Sequence, residues 1–273
     1  MLQTSRVLCV VALSLSTACI VAPEATPGLG LGLQAASQFN HRGMPFNDKG
    51  VLQANAAVDL PTKNGGALVL KTFANIDLSN ETDGWLPDGH GGKVSQADFI
   101  LQYDQALSEK VDLSVGYHNY LLPNGLEFPF GERGETKEIF ATFVMNGLPV
   151  TPRVELRYDV DEVEDFYGRL GVTKAFQLDE KSGLTADLTL GFSGEDQSLW
   201  NYGVAESGLA DLIATVTYDV DVAPRTTFFV QAAGSTILDD DIKDWFDIMG
   251  ASRDGIDSEN AWIVVGVNWN YGK

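Results

Sequence analysis

The sequence predicts an all-β chain: a transmembrane antiparallel β-barrel of about twelve strands with a cleaved N-terminal signal peptide. Three observations predict it. Long segments alternate apolar and polar side chains with a period of two. The connections between them alternate between compact and long. The first eighteen residues have the make-up of an export signal.

The export signal comes first. Within residues 1–18 Arg6 is the only charged side chain, and 7–15 form an apolar core of secretory length. Small residues Ser16, Thr17 and Ala18 follow. Cleavage after Ala18 leaves Cys19 at the new N-terminus and makes it a lipidation candidate, although Ser16 stands where a lipoprotein signal prefers leucine. Residues 19–28 then read as a periplasmic N-terminal segment and 29–273 as the barrel.

Beyond the signal no apolar run reaches the roughly twenty residues of a membrane helix. The periodicity is that of strands. Val154, Leu156, Tyr158 and Val160 alternate with Glu155, Arg157 and Asp159, so the two sets fall on opposite faces. Leu184, Ala186, Leu188, Leu190 and Phe192 repeat the pattern, as do Leu212, Ala214, Val216, Tyr218 and Val220. The last segment repeats it with Ile263, Val265, Val267, Trp269 and Tyr271.

In chain order the segments are 29–42, 50–60, 67–78, 95–106, 110–121, 136–146, 150–161, 165–176, 183–193, 209–221, 225–236 and 260–271. Strands of soluble proteins run about five or six residues. Tilted membrane strands need about nine to eleven, which these segments meet. A short helix is expected only near 242–249. Even-numbered connections are compact: 61–66, 107–109, 147–149, 177–182 and 222–224. Several odd ones are long: 79–94, 122–135, 194–208 and 237–259. Two others, 43–49 and 162–164, are short. Compact periplasmic turns with longer outer loops are the pattern of a barrel in a Gram-negative-type envelope. Lipid offers the backbone no hydrogen bonds, so every strand edge must be paired and the sheet must close. Aromatics near strand ends, among them Phe39, Tyr103, Tyr117, Tyr158, Phe166, Phe176 and Tyr218, suit interfacial girdles.

Composition narrows the function. A net charge of -20 argues against nucleic acid as a partner. The two cysteines, Cys9 and Cys19, exclude a disulfide framework. On the inward parity lie Gln53, Asp59, Lys71, Asp98, Asp104, Asp112, His118, Glu138, Arg153, Glu155, Arg157, Asp159, Arg169, Asp187, Asp211 and Arg225. That wall is polar and of mixed sign. Arg157 is expected almost opposite Arg169, with Glu138 beside Arg157. Arg153, Arg157 and Arg169 with Glu138, Glu155 and Asp187 are therefore the candidates for setting selectivity. Mutual neutralisation of these charges is the favoured arrangement. Lys174 is the charged exception on the outward parity, placed to snorkel.

The strand end Ser37, Phe39, Arg42, Gly43 resembles the opening of the TorF-type porin family, and the run from Tyr103 to Tyr120 is similar to it too. The chain departs from that pattern at Gln38 and in ending Tyr271, Gly272, Lys273. The resemblance implies an exported barrel with a passive-channel role. The expected partners are outer-membrane lipid and lipopolysaccharide, the barrel-assembly machinery and small solutes. A non-conducting structural or adhesion barrel, whose outer loops bind a partner or surface polysaccharide, is the alternative.

Other chemistries find little support. The loop 237–259 carries Asp239, Asp240, Asp241, Asp244, Asp247, Asp254 and Asp257 without a calcium-loop spacing. It reads as a solvated acidic loop. Trp85, Phe128 and Phe130 are expected to stack on sugar rings or to plug the mouth, and plugging is the commoner role. His41, His90 and His118 have no metal-type spacing, and no cofactor is expected. His41 and Ser37 share the outward parity about 13 Å apart, too far for a catalytic pair, so no enzyme activity is expected.

Overall fold

The computed structural model describes residues 27–81, 84, 89–128, 131–251 and 255–272. The signal peptide, Cys19, Trp85, Phe130 and Asp254 lie outside the described residues, as do the side chains of 124–133, Phe128 among them.

The described strands, in chain order, are β1 Gly28–Ala36, β2 Phe39–His41, β3 Met44–Asn47, β4 Val51–Pro61, β5 Ala67–Asp77, β6 Val94–Ser108, β7 Val111–Phe128, β8 Gly131–Met145, β9 Thr151–Asp159, β10 Phe166–Gln177, β11 Ser182–Ser193, β12 Gly208–Ala223, β13 Thr226–Ile237 and β14 Glu259–Tyr271. Helix α1, Glu195–Tyr202, lies between β11 and β12, and α2, Asp240–Gly250, between β13 and β14. Twelve strands, β1 and β4 to β14, form one closed antiparallel barrel. Closure is made by β1, whose Leu33 pairs with Val267 of β14 on one side and Ala54 of β4 on the other.

Burial is inverted relative to a soluble protein. Leu70, Phe99, Ile139, Leu156, Leu170, Val216 and Ile263 are exposed, while Asp98, His118, Glu138, Glu155 and Asp219 are buried. Soluble monomers rarely expose so continuous an apolar surface. Lipid outside and polar groups inside account for both facts. At one end the connections are tight turns at 62–66, 109–110, 146–150, 178–181 and 224–225. At the other lie the long connections with β2, β3, α1 and α2. Lys174 faces outward near the turn end, where its ammonium donates to the Pro149 carbonyl and sits 5.8 Å from the Phe176 ring centroid.

The structure corrects the first strand. The segment 29–42 does not continue as one strand. β1 stops at Ala36, and β2 and β3 form a separate two-stranded hairpin folded into the barrel. The cause is packing. Phe39, Met44 and Phe46 are buried in an apolar core with Phe73, Phe229, Ile242 and Phe246, which a spanning strand could not reach. The turn between β2 and β3 has Arg42 at φ 50 and Gly43 at φ 79, both left-handed. Phe39 accordingly leaves the interfacial girdle and meets Phe46 edge-on at 5.7 Å.

Three further differences follow. The loop expected at 122–135 is mostly strand: β7 and β8 run on beyond a register shift between Leu121 and Leu126. The connection 194–208 contains α1, and its buried residues are Gln197, Ser198, Asn201 and Tyr202, so no apolar periodicity announces it. Arg225 is not in the lumen; it is exposed in the β12–β13 turn at φ 66.

Candidate functional site: the lumen

Strand parity alone puts Arg153, Glu155, Arg157 and Asp159 of β9 on the inner face, and all four are buried. Glu138 comes from β8, Arg169 from β10 and Asp187 from β11. Register decides which of them meet. Arg169 is opposite Glu155 and Tyr167 is opposite Arg157, so the two arginines are diagonal and do not face each other, which corrects the expectation that Arg157 lies almost opposite Arg169. Glu155 bridges them, 2.6 Å from Arg157 Nε and 3.9 Å from Arg169 Nη1. Glu138 Oε2 accepts from Arg157 Nη1 at 3.1 Å and from the Tyr120 hydroxyl at 2.9 Å. Arg153 contacts Asp187 at 3.3 Å and donates to Thr189 Oγ1 at 2.9 Å. The candidate charges are thus paired with one another. Removing one partner from a buried pair typically costs about 3–5 kcal/mol, so the arrangement is rigid.

The hairpin adds a member to this network. The Arg42 guanidinium is ion-paired with Glu138 Oε1 and lies 4.2 Å from the Tyr167 ring centroid. The Tyr202 hydroxyl of α1 is 3.0 Å from both the Arg42 carbonyl and Asp211 Oδ2. Ser235 Oγ donates to the Gly43 carbonyl at 2.8 Å. The tip is therefore held by β8, β10, β13 and α1 together. Of the four strand-end residues, Phe39, Arg42 and Gly43 are buried inside the barrel, and Ser37 stays at the rim, its Oγ accepting from the Ile263 N–H at 3.1 Å.

His41 is not an outward, interfacial residue. It faces inward, 5.1 Å from the Phe46 ring and 5.9 Å from the Tyr120 ring. Burial pushes its pKa well below the ordinary histidine value, and Arg42 and Arg169 push the same way. His118 is fully buried, with Arg157 Nη1 3.1 Å from its Nδ1 and Asp98 3.4 Å from its Nε2. In the acidic loop, Asp239 caps α2 by accepting from the Asp241 and Ile242 N–H groups, and Asp240 pairs with Lys243. Among the described residues no three metal-ligating side chains converge.

Below the hairpin tip a cavity of about 90 Å³ remains. Gln34, Gln53, Gln231 and Trp262 line one side, with Arg157, Arg169, Asp187 and Thr189 on the other. Sequence reasoning found the charged strand residues. It named Arg42 only as part of the strand end and not as a lumen residue, and it missed Tyr167, Tyr120 and Tyr202; the one available signal was the Arg-Gly pair inside a run that breaks the period of two.

No protein-family model matches the sequence, and no curated protein matches it. Solved structures share the fold. An outer membrane channel from Pseudomonas putida F1 is 12% identical with a TM-score of 0.55, covering 90% of this chain and 96% of its own. LpxR from Salmonella typhimurium is 8% identical at 0.51, covering 88% and 99%. The NanC porin is 11% identical at 0.50, covering 88% and 98%. At such identities the likeness is one of fold. The chain has the fold of the outer-membrane β-barrels.

Proposed function

We propose that this chain is an outer-membrane, porin-like channel for passive diffusion of small polar or charged solutes. One observation carries the reading: a closed barrel, apolar outside, encloses a polar lumen that keeps a cavity between Gln34, Gln53, Gln231 and Arg169. Two fold neighbours named as a porin and an outer membrane channel support it. In this reading the turn end faces the periplasm, and lipid and lipopolysaccharide surround the apolar belt. The signal at 1–18, the periplasmic segment 19–28, acylation of Cys19, insertion by the barrel-assembly machinery and kinship with the TorF-type porins belong to the same proposal.

Arg153, Arg157 and Arg169, against Glu138, Glu155 and Asp187, set the field that a solute meets. Because these charges are paired, the field is weak and discrimination between anions and cations is small. Ion conductance in planar bilayers tests the channel: discrete current steps are expected, and silence from inserted protein would refute it. A barrel that migrates identically boiled and unboiled would refute membrane insertion.

A second reading has its own observation. The apolar core built from the hairpin, Tyr202 and α2 fills the loop end of the barrel. If that seal never opens, the protein is a non-conducting barrel whose outer loops bind a partner or surface polysaccharide. Conductance that appears only after the hairpin is loosened would identify the seal.

A further inference from the structure

The carboxylates of the lumen network have partners. Glu138 and Glu155 contact Arg157, Asp187 contacts Arg153, and Asp211 accepts from the hydroxyls of Tyr167 and Tyr202. Asp219 does not share in this. It lies on β12 toward the turn end, faces inward and is 0% exposed. Neither of its oxygens has a hydrogen-bond partner, and among the described residues it is the only carboxylate with both oxygens buried and unpartnered.

Its neighbours leave room over the carboxylate. Across the strand pairs Asp219 stands between Gly183 of β11 and Phe229 of β13. A Cβ on Gly183 would stand 3.1 Å from Asp219 Oδ1 and 3.4 Å from Oδ2. The carboxylate thus lies over bare backbone, in a cradle that any other residue at 183 would narrow. Two residues on, on the same face, Asp221 brings a second carboxylate, half-buried, which accepts from Thr227 Oγ1 at 2.8 Å. The Cα atoms of such i, i+2 neighbours on a strand are roughly 7 Å apart. Two residues back, Thr217 Oγ1 accepts from Gln231 at 3.0 Å. Among the described residues no lysine or arginine is ion-paired with Asp219 or Asp221. A buried carboxylate without a counter-charge is costly, and a cation satisfies both of its oxygens at once.

We infer that Asp219 and Asp221 form a binding station for small inorganic cations at the turn end of the lumen, and that calcium occupies it in preference to potassium. One divalent ion neutralises both carboxylates, where a monovalent ion leaves one charge over. Calcium accepts irregular sets of oxygen ligands, which carboxylates, threonine hydroxyls and water supply here. With only two carboxylates the site is weak, near 1 mM on the order of magnitude of the weakest protein calcium sites, so the ion exchanges with solution. The place of the station on a conduction path rests on the channel reading above; the binding itself does not.

The purified full chain in detergent is heated with calcium chloride at about 5 mM, several times the roughly 1 mM constant of a weak site, and with potassium chloride of the same ionic strength. Calcium should raise the temperature at which the folded gel band disappears, because it binds the folded barrel and not the unfolded chain. Asp219→Asn and Asp221→Asn should lose that rise. Gly183→Ala keeps both charges but narrows the cradle, and should reduce it. Glu180→Gln, which removes an exposed acid from the neighbouring turn, should keep it. A rise of equal size in potassium chloride, or one that survives Asp219→Asn, overturns the inference. In planar bilayers the same calcium addition should lower potassium current severalfold, and Asp219→Asn should relieve the block. Current that ignores calcium, from protein that calcium stabilises, overturns the place of the station on the conduction path. Protein that calcium stabilises but that stays silent in bilayers overturns the channel reading and leaves the site standing.

Discussion

Arg42 and Glu138, 96 positions apart in the chain, form an ion pair inside the barrel. One comes from the tip of the inward hairpin, the other from the wall. The pair turns a surface connection into part of the lumen, and Tyr202 and Ser235 hold the same tip by its backbone.

Arg42→Ala should loosen the hairpin without unfolding the barrel. Glu138 keeps Arg157 and Tyr120 as partners, so the loss is that of one charged hydrogen bond, about 1.5–3 kcal/mol. The temperature at which the folded gel band disappears should fall by several degrees while the band itself persists. An unchanged transition would show that the pair does not hold the tip.

Gly43→Ala should destabilise the same turn for a different reason. Gly43 sits at φ 79, and its Cβ would stand 2.8 Å from the Asp211 Cβ. A left-handed conformation costs a non-glycine residue about 1–2 kcal/mol before that clash is counted. Urea unfolding in detergent should show the loss; a variant as stable as the parent would mean that the turn relaxes freely.

Arg169→Gln should lower the anion/cation permeability ratio with modest effect on stability. Its nearest polar partners are long, 3.9 Å to Glu155 and 3.5 Å to the Tyr167 hydroxyl, and it borders the cavity. Arg157→Glu should instead cost about 3–5 kcal/mol, because its buried carboxylate partners are left unpaired. Reversal potentials under a salt gradient read the first effect, and an unchanged ratio removes Arg169 from the selectivity account.

Acid should loosen the hairpin through His41. Its folded pKa is depressed, so the closed form binds fewer protons than the open one. Closure is therefore at full strength above the ordinary histidine value of about 6.5 and weakens as pH falls below it. Conductance should rise between neutral pH and pH 5, and His41→Phe should flatten that rise. A rise of the same size in His41→Phe would assign the effect to the lumen carboxylates.

Strand parity was legible because lipid and lumen impose it directly: Leu156 and Tyr158 face out and Glu155 and Arg157 face in with no help from the rest of the chain. Connection lengths were legible too, since the turn end needs only enough residues to reverse direction. The hairpin was not. Phe39 and Phe46 are buried by Phe229, Ile242 and Phe246, contacts too distant in sequence for any local pattern to carry. Helix α1 was invisible because its buried face is Gln197, Ser198, Asn201 and Tyr202. The types of charge in the lumen could be read, but not their pairing, since a register shift of two residues, which keeps every side chain on its face, separates Arg157 opposite Arg169 from Arg157 opposite Tyr167.

The central claim is that the lumen conducts past a latched hairpin. Single-channel current from the purified full chain in planar bilayers tests it most directly, recorded beside Arg42→Ala at the same voltage. Small discrete steps from the parent chain and larger ones from the variant are the predicted result. Bilayers that stay silent with both proteins, each shown to be inserted and folded, would contradict it.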